Sequence, residues 1–302
     1  MMMKRVFSAL AAFSFGANVL AVEPQVIPLW GDAEPPYVIP HSVEEYQDDN
    51  CWGNVSCIHR ISRPTLTLYL PEGEPNSAAV VILPGGGYEV EAVYHEGYEI
   101  AELLAAQGTA AAVLKYRLPD PQTASAPWLV PEVDTRKALQ LLRDEQSTLG
   151  FNATRFGVMG FSAGGHLAAS VSVHRSEEPA ENPDFSILVY GVSIMNASNR
   201  EWLEQTLYHR PMTDEEVSYQ TLLEHVDEST PPAFLVHAFD DDVVPYQEST
   251  LYSEALQRHG VAAEIHLYAN GGHGFGPGRD EDGTGKWVDL AGDWLDRLGA
   301  AR

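Results

Sequence analysis

The segment Gly160-Phe161-Ser162-Ala163-Gly164 sets a serine between two glycines, with an apolar run before it and an alanine-rich run after it. A serine hydroxyl is a weak nucleophile at neutral pH. It needs a general base within hydrogen-bond reach, and that base needs an orienting acid. A G-x-S-x-G turn between strand and helix presents such a serine: the glycines let the backbone fold back closely, and the helix N-terminus favours a developing anion. The alternative reading is a plain glycine-rich turn.

The partners are expected downstream, in the order serine, acid, histidine. His273 lies in Gly271-Gly272-His273-Gly274-Phe275, where small neighbours let an imidazole approach Ser162. Its rival among the 11 histidines is His237, at the end of an apolar run, which reads as structural or site-lining. The acid is Asp240, Asp241 or Asp242, and spacing alone does not separate them. The oxyanion needs two backbone donors. Ala163, the residue after the nucleophile, supplies one. The loop Pro84-Gly85-Gly86-Gly87-Tyr88 supplies the other, through Gly86 or Gly87. This loop lacks the G-x-G-x-x-G spacing and the Lys and Ser of a phosphate-binding loop, so phosphate chemistry is set aside.

These residues require a scaffold, and the chain's periodicity describes one. Residues 65–70 alternate as a strand. Ala78–Leu83 is a continuous apolar run, as expected of a strand buried on both faces. Further strands are expected at 109–114, 155–159, 185–190, 233–237 and 264–268. Helices are expected at 98–107, 132–149, 163–173, 202–207, 246–259 and 287–298. The alternation predicts an α/β fold with a mostly parallel sheet and helices on both faces. Ligands meet such folds at the C-terminal edge of the strands. Tyr88, His95, Glu96, Tyr116, Arg117 and His166 lie in or beside those loops and are candidate substrate contacts. Arg136 and Arg143 read as helix-surface ion pairs. Residues 196–230 break the rhythm and read as a cap.

The chain has 302 residues and a net charge of −25, which disfavours nucleic acid and anionic membranes. Residues 1–21 carry Lys4 and Arg5, then an apolar stretch and a small-residue end, the layout of a signal peptide. No later stretch reaches the roughly 20 apolar residues of a membrane span. The expectation is an exported protein free of the membrane after cleavage. Residues 22–63 read as an irregular, polar, proline-rich arm, and 64–302 as the catalytic domain. The arm holds both cysteines, Cys51 and Cys57, expected to form a local disulfide rather than a metal site.

The motifs PGGGY (84–88), LKYRLP (114–119), GFSAGGHLA (160–168), PPAFLVHAFDDDVVP (231–245) and GGHGFG (271–276) together resemble the bacterial esterase branch of the α/β-hydrolases. That branch includes carbohydrate acetylesterases and xylanase-associated, acetyl xylan esterase-like proteins. The resemblance covers about residues 66–298. It implies Ser162 as nucleophile, His273 as base and Asp241, the Asp of D-x-x-V-P, as acid. It also implies an α/β-hydrolase fold and removal of O-acetyl groups from xylan, xyloglucan or their oligosaccharides, with no metal or organic cofactor. Competing expectations are a feruloyl esterase, a general carboxylesterase, a prolyl-oligopeptidase-like peptidase and a non-catalytic binding protein. The peptidase would carry a β-propeller ahead of this domain, for which the arm is too short.

Overall fold

The structure is a computed structural model that describes residues 23–300 apart from 54, 73 and 74. The leader expected at 1–21 lies outside the described residues. The described strands are β1 (Gln25–Pro28), β2 (Tyr46–Asp48), β3 (Cys57–His59), β4 (Thr65–Tyr69), β5 (Ala78–Leu83), β6 (Val90–Glu91), β7 (Ala110–Lys115), β8 (Arg155–Phe161), β9 (Ser186–Val189), β10 (Ala233–Ala238) and β11 (Ala263–Tyr268). The helices are α1 (Glu99–Ala106), α2 (Val130–Leu149), α3 (Ala163–Val173), α4 (Ala197–Thr206), α5 (Asp214–Tyr219), α6 (Gln247–Arg258) and α7 (Trp287–Ala300).

Eight strands form one sheet in the order β1-β4-β7-β5-β8-β9-β10-β11. The pairs from β7 to β11 are parallel, and β1 and β4 are antiparallel to their neighbours. Because side chains alternate along a strand, β5 feeds two cores. Ala79, Val81 and Leu83 face the core shared with α2, α3, α4 and α6. Ala78, Val80 and Ile82 face the core shared with α1 and α7. All six are buried, and full burial of each Val, Ile or Leu contributes roughly 1.5–3 kcal/mol. This explains the uninterrupted apolar run. Helix α2 starts with Pro131 in its first turn, where no N–H is needed, and ends at Gly150 with φ 91°, a left-handed position that suits glycine.

The arm differs from the irregular segment expected. Its β1 pairs with β4 and extends the main sheet, with Ile27 packed on the core. The element is four residues long and ends in proline, too short for a periodic signal. A second, antiparallel sheet of order β2-β3-β6 ties the cysteine region to the segment just after the glycine loop, pairing Ile58 with Glu91 and His59 with Val90. Segment 196–230 contains α4 and α5. The latter is closed by a capping box in which the Thr213 side chain accepts from Glu216 N and Glu216 accepts from Thr213 N. Among the described residues, no helix is long and apolar enough to cross a membrane.

Candidate active site

Ser162 occupies the single-residue turn between β8 and α3, with φ 51° and ψ −116°. A positive φ in a non-glycine residue stores on the order of 1–3 kcal/mol of strain and needs its surroundings to hold it. Packing supplies that hold and explains both glycines. A Cβ on Gly160 would lie 2.0 Å from the Gly164 carbonyl oxygen, and one on Gly164 would lie 2.0 Å from that of Leu83. The turn is pressed against the ends of β5 and its own helix, so only glycine fits at either position. The Ser162 N–H donates to Val189 O at 3.1 Å.

His273 Nε2 lies 2.9 Å from Ser162 Oγ, and its Nδ1 lies 2.8 Å from Asp241 Oδ2. An ionised carboxylate only accepts, so Nδ1 carries the proton and Nε2 is left to accept from the serine hydroxyl. The structure therefore distinguishes the three acids. Asp241 is buried and accepts from the backbone of Val243 at 3.0 Å and Val244 at 2.8 Å. Asp240 instead accepts from Gly272 N at 2.8 Å, fastening the histidine loop to the acid turn. Asp242 lines the cavity beside the serine. Burial alone would raise the Asp241 carboxyl, but hydrogen bonds from His237 and His273, with the backbone of Val244, outweigh it and hold it well below the ordinary carboxylate range. His237 is wholly buried. Its Nε2 lies 2.8 Å from Val244 O and 3.3 Å from Asp241 Oδ2, and its Nδ1 lies 2.8 Å from Ser249 Oγ. It shapes the acid turn, in keeping with the structural reading.

The glycine loop meets Ser162 from the β5 side. A Cβ on Gly85 would sit 2.9 Å from Ser162 Cβ, and one on Gly86, where φ is 130°, would sit 2.2 Å from Val90 O. Gly85 N donates to Glu96 Oε2 at 2.8 Å, while Glu96 Oε1 accepts from the Tyr190 hydroxyl at 2.8 Å. The Tyr190 ring packs edge-on against His273, 5.0 Å between centroids. Glu96 thus links the loop to the histidine's surroundings. Gly86 and Gly87 line a cavity of about 730 Å³ together with Ser162, His273 and Glu96. Ala163 opens α3, where backbone N–H groups lack intrahelical partners.

Of the six candidate substrate contacts, His95 and Glu96 line this cavity. The other four are corrected by the structure: each is buried and supports the site from behind. The Tyr88 hydroxyl bonds His166 Nδ1 at 2.9 Å, and its ring stacks on Trp202. Burial pushes the His166 imidazole down from its ordinary 6.5 to about 4, so it stays neutral. The Tyr116 hydroxyl donates to Pro84 O at 2.9 Å and braces the glycine loop. Arg117 pairs with the buried Asp134 at 2.7 Å and donates to Pro36 O at 2.8 Å, pinning the arm. Sequence position put these four near the strand ends, but burial depth was invisible to it. Arg136 makes the expected helix pair with Glu132, whereas Arg143 reaches Asp184 outside its helix.

The sequence reading missed several residues of the cavity wall, among them Trp52, Val55, Asn199, Trp202 and Val243. An aromatic residue between two cysteines and another in the aberrant 196–230 segment were the available signals. Cys51 and Cys57 are joined as a disulfide, their Cα atoms 6.2 Å apart. Together with His59 they are the one group of donors among the described residues close enough for a metal. Sulfurs bonded to each other offer no thiolate to bind one.

Residues 66–256 match the family described as BD-FAE. An acetylxylan esterase of Xylanibacter ruminicola is 34% identical over 220 residues, covering 70% of this chain and 44% of that protein. An endo-1,4-beta-xylanase B of Butyrivibrio fibrisolvens is 30% identical over 228 residues, covering 72% of this chain and 35% of that protein. The chain therefore spans less than half the length of either relative. The crystal structure of an acetyl ester-xyloside bifunctional hydrolase from Caldicellulosiruptor lactoaceticus superposes with a TM-score of 0.74 at 29% identity, covering 93% of this chain and 98% of that one.

Proposed function

Because the chain belongs to the BD-FAE family and has the α/β-hydrolase fold, we propose that it is a serine ester hydrolase that removes O-acetyl groups from xylan-type polysaccharides or their oligosaccharides. The observation that carries the reading is the hydrogen-bonded chain Ser162–His273–Asp241 opening onto a cavity large enough for a sugar. The acetyl-sugar assignment draws on the names of the acetylxylan esterase and acetyl ester-xyloside hydrolase relatives.

In this mechanism Ser162 Oγ attacks the acetyl carbonyl as His273 Nε2 takes the hydroxyl proton. Asp241, kept ionised, stabilises the imidazolium and fixes its orientation. The N–H of Ala163 and those of Gly86 or Gly87 receive the oxyanion. The imidazolium returns its proton to the departing sugar oxygen, which leaves as an alcohol. Water, deprotonated by His273, then attacks the acetyl-serine, and acetate leaves as Oγ regains a proton. The steps use protein groups and water. The signal-like residues 1–21 support export, which matches a polymeric substrate met outside the cytoplasm.

The test follows acetate release from acetylated xylan, xyloglucan and xylo-oligosaccharides by wild type and Ser162→Ala, with p-nitrophenyl acetate as control. Wild type is expected to release acetate, and the variant to lose about 10⁴-fold or more in kcat. Turnover of the p-nitrophenyl ester alone would remove the carbohydrate assignment and point to feruloyl or other acyl esters.

A further inference from the structure

The cavity that holds Ser162 is walled on one side by Trp52 and Val55, residues of the arm. These lie outside residues 66–256, so the family region does not supply this wall. Trp52 keeps 55% of its surface exposed although it lines the cavity. A large indole left in water forgoes the gain from burial and is suited to covering an apolar partner face.

Its loop is short and tied at both ends. The Cys51–Cys57 disulfide closes it, and Cys51 N donates to Val55 O at 2.9 Å within it. Strand β3 then pairs with β6, which directly follows the glycine loop. The indole is thereby held at the cavity by the same strand that continues from Gly86 and Gly87. The remaining lining includes the acidic residues Glu89, Glu96 and Asp242 and, among the described residues, contains no Lys or Arg. Such a wall repels anionic ligands and offers acceptors for hydroxyl groups. A volume of about 730 Å³ falls within the roughly 300–1,000 Å³ typical of sites enclosing a whole small molecule, far more than an acetyl group fills.

From this arrangement we infer that Trp52 is a specificity-determining sugar platform: it stacks against the face of a neutral pyranose ring in the chain whose acetyl group lies at Ser162. The inference rests on the acetyl-sugar reading above and deepens it by naming a neutral glycan and the residue that receives it. The platform acts on binding of the glycan and leaves the ester chemistry alone.

The experiment compares wild type, Trp52→Ala and Trp52→Phe on an acetylated neutral xylo-oligosaccharide and on p-nitrophenyl acetate. Loss of one stacked ring is expected to raise KM for the oligosaccharide about five- to tenfold in Trp52→Ala, with kcat within about twofold. Trp52→Phe is expected to recover most of that loss, and p-nitrophenyl acetate turnover to stay within about twofold for both variants. An unchanged oligosaccharide KM, or an equal fall on both esters, overturns the platform. Wild-type turnover of the oligosaccharide that ignores Trp52 removes the platform alone. Wild type that cleaves only p-nitrophenyl acetate removes the acetyl-sugar reading and the platform with it.

Discussion

Ser162 and Trp52 face the same cavity but are held there by different means. Ser162 follows a strand whose last six residues are buried, and its turn is wedged between carbonyl oxygens that leave no room for a Cβ on either flanking glycine. Trp52 sits in an exposed loop held by one disulfide, a backbone bond and two- and three-residue strands. Bond-making requires placement within a fraction of an ångström, which only a close-packed core provides. A stacking surface tolerates looser placement, so it can be carried by a peripheral segment with few contacts. On the function proposed above, the difference separates a floor for chemistry from a rim for recognition.

Breaking the floor is expected to have the largest effect. Asp241→Asn keeps the side-chain shape but removes the carboxylate that holds His273 Nδ1–H. A fall of about 10⁴-fold in kcat on any ester is expected, with KM little changed. Steady-state kinetics on p-nitrophenyl acetate check it, and a loss below tenfold would mean that the floor does not depend on this acid.

The next effect concerns stability of the same floor. His166 lies on α3, behind Ser162, and is neutral in the fold because burial lowers it to about 4. The unfolded chain takes up this proton first, at about 6.5, so the folded state loses stability as pH falls from about 6.5 to about 4. This one group accounts for about 3 kcal/mol over that window. Asp241 contributes a loss of the same sign at lower pH, since its carboxyl is held below the usual range. Burial raises Glu91 and Glu248, which act in the opposite sense. Urea melts of wild type and His166→Gln from pH 7 to pH 4 isolate the histidine: the variant is expected to lose that part of the slope, and parallel curves would refute it.

The smallest effect is expected at the rim. Reducing the Cys51–Cys57 bond frees a short loop and is expected to lower stability by about 2 kcal/mol. Turnover of p-nitrophenyl acetate should change by less than about twofold, because Ser162, His273 and Asp241 are held by contacts outside that loop. A large fall in small-ester turnover on reduction would erase the distinction between floor and rim.

Much of the floor is legible in the amino-acid sequence alone. The unbroken apolar run of β5, the boundaries of α3 and the serine between glycines all follow from local rules of burial period and turn geometry. The same rules pass over β1, whose four residues carry no usable period, and place Tyr88, Tyr116, Arg117 and His166 on the cavity wall when they lie behind it. Position along a loop reports proximity to a strand end. It does not report which way a side chain turns or how deeply its neighbours cover it.

The layered α/β architecture and the strained serine turn are legible in the chain alone, because each depends on residues close together in it, and the order of the serine's partners follows from the pattern of this fold. Spacing alone left Asp240, Asp241 and Asp242 open, and it is packing that brings Asp241 to His273, His273 to a serine 111 residues away, and an arm residue to the cavity. Three adjacent aspartates have the same chemistry. What separates them is the direction each takes from the end of β10, and that direction is set by His237, Val243, Val244 and Gly272, side chains and backbone brought together by packing rather than by spacing.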